Sequence, residues 1–90
     1  MPGRQVRVSE GILMQEQEGD AFLLHTASGR YFSLNRTGVT VWRALEAGGD
    51  PVEALGERWP DVPEDVRRRD AGALIDRLLD AGLLTDAADS

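Results

Sequence analysis

Alternating apolar and polar residues over the first third of the chain predict short β-strands. Four segments have this pattern, and clusters of turn residues such as Glu18-Gly19-Asp20 separate them. The segments are Val6–Val8, Ile12–Gln17, Ala21–Thr26 and Tyr31–Leu34. Short strands joined by turns of three or four residues are typical of an antiparallel meander. We therefore expect a three-stranded or, alternatively, four-stranded antiparallel sheet, which needs a second layer to cover one face.

After the strands, the spacing of apolar residues changes to the helical period and predicts three helices. Each begins at a residue that suits a helix N-terminus, either a side chain that accepts a backbone N–H or a proline in the first turn. Glycine or proline marks each end, because neither continues a helix easily. The predicted helices lie between Asn35 and Gly48, between Asp50 and Pro60, and between Pro63 and Gly82.

These elements predict a single winged-helix-like domain of the α+β class over residues 1–90, with the sheet first and three helices as its cover. Ordered structure is expected over about residues 5–85, and the polar tail from Thr85 to Ser90 is expected to fray. A chain of 90 residues has room for one modest core. Most enzymes build a second layer of structure around a cleft, and this chain can hardly supply one.

Projection of the third helix separates a core stripe from a flanking stripe. The core stripe contains Ala71, Leu74, Ile75, Leu78 and Leu79. The flank contains Val66, Asp70, Ala73 and Arg77, with Leu74 at its border. A flank that combines small, apolar and charged residues can line a groove, although two such charged residues can equally be solvated.

Composition narrows the possible functions mainly by exclusion. The chain has 16 acidic and 10 basic residues, a net charge of −6, whereas proteins that bind nucleic acids usually present a basic face. The absence of cysteine excludes disulfides, thiol catalysis and cysteine-ligated metals. No segment is apolar for long enough to cross a bilayer, and the N-terminus has no signal-peptide core, so we expect a cytoplasmic protein that does not bind membranes.

Candidate catalytic groups are few. His25 is the only histidine, so a site with two histidine ligands is impossible, and the glycines form neither a P-loop nor a dinucleotide fingerprint. The three consecutive arginines at 67–69 have acidic neighbours at helical spacing, which predicts a solvated, ion-paired surface. We therefore predict a protein that is not an enzyme and that binds no metal and no cofactor.

The segment from Gly29 to Leu45 resembles the signature of the PqqD-like family. That signature runs roughly Gly-x-Tyr-x-x-Leu-Asn-x-Thr-Gly-x-x-x-Trp, followed by a short helix and a glycine. The late segment Leu-Leu-Asp-Ala-Gly-Leu-Leu, from Leu78 to Leu84, agrees with the family as well. Several signature residues are expected to be structural: Leu34, Val39, Trp42 and Leu45 as core, Asn35 as a helix cap, and Gly38 at a close-packing or turn position.

The resemblance implies a winged-helix-like fold and a binding role. Members of the family recognise the leader segments of ribosomally made precursor peptides that are modified after translation. The leader adds as an antiparallel strand to the third strand of the sheet, and its side chains enter the groove between that strand and the third helix. A free-standing chain of this size is most similar to the leader-binding proteins of lasso-peptide clusters, which present the leader to a partner peptidase.

The resemblance and the flanking stripe together predict one peptide-binding site. Backbone groups of the last predicted strand would pair with the peptide, and the helix flank would line the groove. The predicted site residues are Arg30, Tyr31, Phe32, Ser33, Leu34, Val66, Asp70, Ala73, Leu74 and Arg77. The sequence does not indicate which face of the strand meets the ligand.

The expected partners are a precursor peptide and a modifying enzyme of the same pathway, in particular its leader peptidase. Two alternatives stay open. Within the same fold, the protein is a PqqD-type peptide carrier for a radical SAM enzyme. In a different functional class, it is a small winged-helix protein whose third helix enters the major groove of DNA.

Overall fold

The computed structural model describes residues 6–86, in which strands come first and helices follow. The first four strands are β1 (Val6–Val8), β2 (Ile12–Gln17), β3 (Asp20–His25) and β4 (Arg30–Leu34). The helices are α1 (Arg36–Glu46), α2 (Pro51–Arg58) and α3 (Glu64–Asp80), and β5 (Leu84–Asp86) ends the described chain. The predicted α+β class, with an antiparallel sheet ahead of three helices, is confirmed.

Strands β2, β3 and β4 form the predicted three-stranded antiparallel sheet, with β3 in the centre. The register places Leu23 between Met14 of β2 and Phe32 of β4. Ala21 lies opposite Leu34, and both are buried. Strand β4 is an edge strand, and within residues 6–86 no other strand pairs with its free side. An unpaired edge leaves backbone N–H and C=O groups available for another chain.

The alternative of a four-stranded sheet is wrong, because β1 pairs with β5 instead of β2. Val6 lies opposite Asp86, and Val8 lies opposite Leu84. Thr85 and Asp86 therefore belong to a strand, although the sequence analysis expected them to fray. The rest of the predicted frayed tail lies outside the described residues.

A tight turn at the end of α3 explains why this strand forms. Gly82 adopts a φ of +79°, which residues with a Cβ rarely adopt. The Leu83 N–H donates to the Leu78 carbonyl at 2.9 Å, and the chain reverses there. Leu83 and Leu84 are then buried, and their burial anchors the residues that pair with β1.

The predicted caps of the first two helices are present. Asn35 Oδ1 accepts the Gly38 N–H at 2.9 Å, and Asp50 Oδ1 accepts the Val52 N–H at 2.8 Å. Each bond satisfies a donor that the helix itself leaves unpaired. The Asn35 cap matters most for the site, since Asn35 is the single residue between the end of β4 and the beginning of α1.

The core consists of two clusters that meet at α1. The larger lies between the sheet and the helices, and its buried residues are Ala21, Leu23, Leu34, Val39, Trp42, Leu78, Leu83 and Leu84. The smaller lies among the helices and contains Val41, Leu55 and Ala71. Leu45 and Leu74 are partly buried against both clusters. Of the signature residues predicted as core, Leu34, Val39 and Trp42 are buried, and Leu45 is half-buried.

Arg67 corrects the prediction that the basic run is a solvated surface. Its Nε donates to the Val62 carbonyl at 3.0 Å, and its Nη1 donates to the Val52 carbonyl at 3.1 Å. Gly56 lies beneath the guanidinium, where a Cβ would come within 2.9 Å of Arg67 Cζ. Arg67 thus ties α3 to the first turn of α2 and to the loop that joins the two helices. The other two arginines behave as predicted: Arg68 pairs with Glu64 and Arg69 with Asp70.

Truncation of Trp42 should cost a large part of the total stability. Its side chain is 0% exposed, so we expect Trp42→Ala to lower the free energy of unfolding by about 3–5 kcal/mol. Urea unfolding followed by circular dichroism measures this loss. Trp42→Phe is the control, because it keeps most of the ring volume and removes an indole N–H that has no partner among the described residues. A Trp42→Ala protein as stable as the parent would contradict a core role.

Two helix glycines should respond to alanine with opposite signs. A Cβ at Gly72 of α3 meets no atom within 4 Å, so Gly72→Ala should raise the free energy of unfolding by about 0.5–1 kcal/mol. The same change at Gly56 should lower it, since the added methyl displaces the Arg67 guanidinium from its two carbonyls. Urea unfolding compares the two variants, and equal gains would show that the Arg67 contacts contribute no stability.

Candidate functional site: a groove beside the edge strand

A groove of about 340 Å³ lies between the carboxyl end of β4, the first turns of α1 and the exposed flank of α3. Buried Leu34 and Val41 and half-buried Leu74 are its apolar part, and Asp70 and Arg77 are its charged part. The residues that line it are Ser33, Leu34, Asn35, Thr37, Gly38, Val41, Asp70, Ala73, Leu74 and Arg77. The groove therefore offers apolar contact together with charge at two separate points.

Local packing at the start of α1 positions the groove. A Cβ at Gly38 would lie 3.0 Å from Leu34 Cδ2 and 3.2 Å from Leu34 Cβ, so the missing side chain lets α1 approach the end of β4 closely. Helix α1 also packs against α3. It thereby holds α3 beside β4, with the groove between them. The structure confirms the predicted close-packing role of Gly38.

The structure brings six of the ten predicted site residues into the described lining of the groove. They are Ser33, Leu34, Asp70, Ala73, Leu74 and Arg77. Ala73 is exposed, so its small side chain leaves the α3 side of the groove open. Val66 is half-buried one helical turn before Asp70 and lies outside this lining.

The other three predicted residues lie earlier on β4. Arg30 is exposed at the beginning of the strand, beside the turn from β3. Phe32 is half-buried, and its ring centroid lies 5.5 Å from the guanidinium carbon of Arg77. This cation–π contact places Phe32 beside the Arg77 end of the groove.

Tyr31 lies on the other face of the sheet. Its side chain is 75% exposed and shares a shallow depression with Gln15, Phe22 and Ser33. Ser33 lines both this depression and the groove, because it stands at the edge between them. The side chain of Tyr31 therefore points away from the groove, although its backbone belongs to the same free edge.

Sequence reasoning missed the contribution of α1 to the groove. Asn35, Thr37, Gly38 and Val41 all line it, although the sequence pattern predicts only structural roles for Asn35 and Gly38. The available signal was the position of Asn-x-Thr-Gly immediately after the edge strand. A helix that begins there must expose its first turn at the end of that strand.

The charged groups of the groove are spaced along α3. Asp70 and Arg77 are seven residues apart, which corresponds to about 10 Å along a helix axis. Asp70 Oδ1 also lies 3.8 Å from Arg69 Nε, and its side chain is 53% exposed. A bound chain would thus meet an acidic group near one end of the groove and a basic group near the other.

Between residues 6 and 86, no three histidine, aspartate or glutamate side chains are grouped so that they could hold a metal ion. In the same part of the chain, no helix is both long enough and apolar enough to cross a bilayer.

Comparison with known proteins supports the resemblance seen in the sequence. No curated protein matches the chain. Among solved structures, TbiB1 in complex with the TbiA(beta) leader peptide is similar to this chain at 26% sequence identity. The match covers 87% of this chain and 93% of the TbiB1 chain, and the TM-score is 0.78. A lasso peptide synthetase B1 complexed with the leader peptide is 24% identical, and the match covers 89% of this chain and 96% of that chain. Its TM-score of 0.77 shows that the two proteins have a similar fold.

The family itself follows from the sequence match. The profile of coenzyme PQQ synthesis protein D (PqqD) matches residues 20–84, which include β3, β4, all three helices and the first residue of β5. The match covers well over half of the chain, and the chain therefore belongs to the PqqD family.

Proposed function

We propose that this protein binds the leader of a ribosomally made precursor peptide by strand addition to β4, and that it presents the peptide to a modifying enzyme. The observation that carries the proposal is the placement of a peptide-sized groove directly beside an edge strand. The protein itself is a non-catalytic adaptor. It acts in the cytoplasm, where precursor and enzyme are made.

Strand addition divides the binding energy between backbone and side chains. The free backbone groups of β4 supply affinity whatever the sequence of the peptide. Alternate side chains of an added strand point to the same side, so every second residue of the leader would enter the groove. Leu34 and Leu74 then provide apolar contact, and Ala73 leaves room for a close approach.

The structural relatives indicate which kind of leader to test first. TbiB1, which is 26% identical to this chain, was solved with a leader peptide bound. The other similar structure is a lasso peptide synthetase B1 complexed with the leader peptide. We therefore propose a lasso-type leader in preference to that of a PQQ precursor. The enzyme that receives the complex is then the leader peptidase of the same pathway.

The structure also weakens the case for DNA binding. Arg67 is tied to the carbonyls of Val52 and Val62, and Arg68 and Arg69 lie beside acidic groups. Few free cations are left at the amino-terminal end of α3 to contact phosphates. The net charge of −6 adds long-range repulsion.

Fluorescence anisotropy tests the proposed function directly. The purified protein is titrated with labelled synthetic leaders from lasso-type and PQQ-type precursors, and with a labelled DNA duplex as a control. We expect saturation by a lasso-type leader with a dissociation constant in the micromolar range or below. Saturation by the PQQ-type leader alone would overturn the choice of pathway. Binding of the duplex alone, weakening steeply with salt, would contradict leader binding.

A bulky side chain at position 73 should block the groove. We expect Ala73→Trp to raise the dissociation constant of the leader by about tenfold or more, because the indole would occupy the space that the peptide needs. Position 73 lies outside the core stripe, so the variant should fold normally.

The neighbouring position provides the control for this variant. Gly72 is also exposed on α3, but it lies beside a different cavity, so Gly72→Trp should leave leader binding unchanged. Anisotropy titrations of both variants, with circular dichroism as the test of folding, make the comparison. A folded Ala73→Trp protein that binds the leader like the parent would show that the groove is not the site.

A further inference from the structure

A second cavity continues the groove beyond Asp70. It has a volume of about 150 Å³ and is lined by Thr37, Leu55, Trp59, Val62, Arg67 and Asp70. Thr37 and Asp70 also line the main groove, so the two spaces adjoin at these residues. The groove beside β4 and the cavity at the end of α2 therefore share a boundary formed by Thr37 and Asp70.

The walls of this second cavity are mainly apolar. Leu55 is buried, and Trp59 and Val62 are half-buried. Arg67 contributes a charged side chain, but its Nε and Nη1 donate to carbonyls of the protein. Arg58 lies with its guanidinium carbon 5.5 Å from the centroid of the Trp59 ring. Apart from Thr37 and Asp70, which also line the groove, the cavity therefore offers a ligand mainly apolar contact.

We propose that this cavity is a specificity pocket for one apolar side chain of the leader, an inference that rests on the proposed function. A peptide that runs antiparallel to β4 has its amino-terminal end at the carboxyl end of the strand, beside Thr37. The side chain that enters the pocket thus belongs to a residue on the amino-terminal side of the paired segment. The cavity adjoins the groove at Thr37 and Asp70, so the side chain of this residue needs only to turn past these two residues to enter it.

Helix and strand geometry give the position of that residue. From Ala73 to the midpoint between Arg67 and Asp70, α3 rises about 7 Å, since each residue contributes about 1.5 Å. An extended peptide covers this distance in about two residues, since each contributes about 3.3 Å. Side chains two residues apart point to the same side of a strand. The leader should therefore carry an apolar residue about two positions before the residue that faces Ala73.

Two valines make a matched pair for the test. Val62 and Val52 are both half-buried, and each provides a carbonyl to Arg67. Their side chains differ in location, because Val62 lines the proposed pocket and Val52 lines a separate cavity that has no lining residue in common with it. Phenylalanine at either position adds the same volume and keeps the backbone acceptor. Only Val62→Phe should fill the pocket.

The probe is a lasso-type leader peptide labelled with fluorescein at its carboxyl end, away from the pocket. We expect Val62→Phe to raise its dissociation constant by about tenfold and Val52→Phe to change it by less than about twofold. Serine is also placed at each apolar position of the leader in turn. One such replacement should weaken binding to the parent about tenfold and should have little further effect on Val62→Phe, as expected for two partners in contact.

The possible failures are distinguishable. If the leader binds both phenylalanine variants as tightly as it binds the parent, the pocket is wrong and leader binding stands. An equal loss in both variants would also overturn the pocket, because it would reflect altered packing of α2 on α3. If no leader binds the parent, both proposals fail. Should Val62→Phe not fold, Val62→Ala replaces it, and a leader with a larger apolar residue at the sensitive position should then bind Val62→Ala better than the parent.

Discussion

Burial of Trp42 holds α1 in the middle of the molecule, and every other feature of the site depends on that position. The residue is 0% exposed and belongs to the cluster that joins the sheet to α3 and to the chain that follows it. On the adjacent face of α1, Val41 packs against Leu55 and Ala71. Because Gly38 has no side chain, the same helix comes close to Leu34. Helix α1 thus connects β4 to α3 while a groove remains between them.

The proposed binding mode combines two kinds of recognition that place different demands on the protein. Pairing along the free edge of β4 needs only regular backbone, so it tolerates variation of the side chains there. Selection among peptides needs cavities of definite shape, and these lie along α3 and at the end of α2. The Arg67 contacts to Val52 and Val62 hold α2 against α3 and so preserve the shape of the second cavity. In the proposed binding mode, Arg67 therefore contributes both to the stability of the fold and to the selection of the peptide.

Local signals in the sequence were sufficient for most of the fold. Alternation predicted β2, β3 and β4, and the caps at Asn35 and Asp50 predicted where the first two helices begin. The strand β5 escaped prediction because its partner β1 lies at the opposite end of the chain and because three residues show too little alternation. Pairing between such distant segments follows from the burial of Leu83 and Leu84, which a sequence pattern does not reveal.

The site was harder to predict than the fold for a physical reason. The helical period correctly set Asp70, Ala73 and Arg77 on one flank of α3, since that depends only on geometry within the helix. Which residues of other elements face that flank depends on packing. In the sequence, Arg67 looks like its solvated neighbours, and the side chain of Tyr31 looks as suitable for the groove as that of Leu34. Only the arrangement of the elements distinguishes them.

Strand addition to β4 is the central claim, and amide hydrogen exchange measured by NMR with and without a saturating lasso-type leader tests it most directly. In an added strand, every second amide of β4 donates to the peptide, so alternate amides of Arg30–Leu34 should become protected. The amides of β2, at the other edge of the sheet, should exchange as before. A leader that binds without protecting any β4 amide, or that protects β2 instead, would contradict the account.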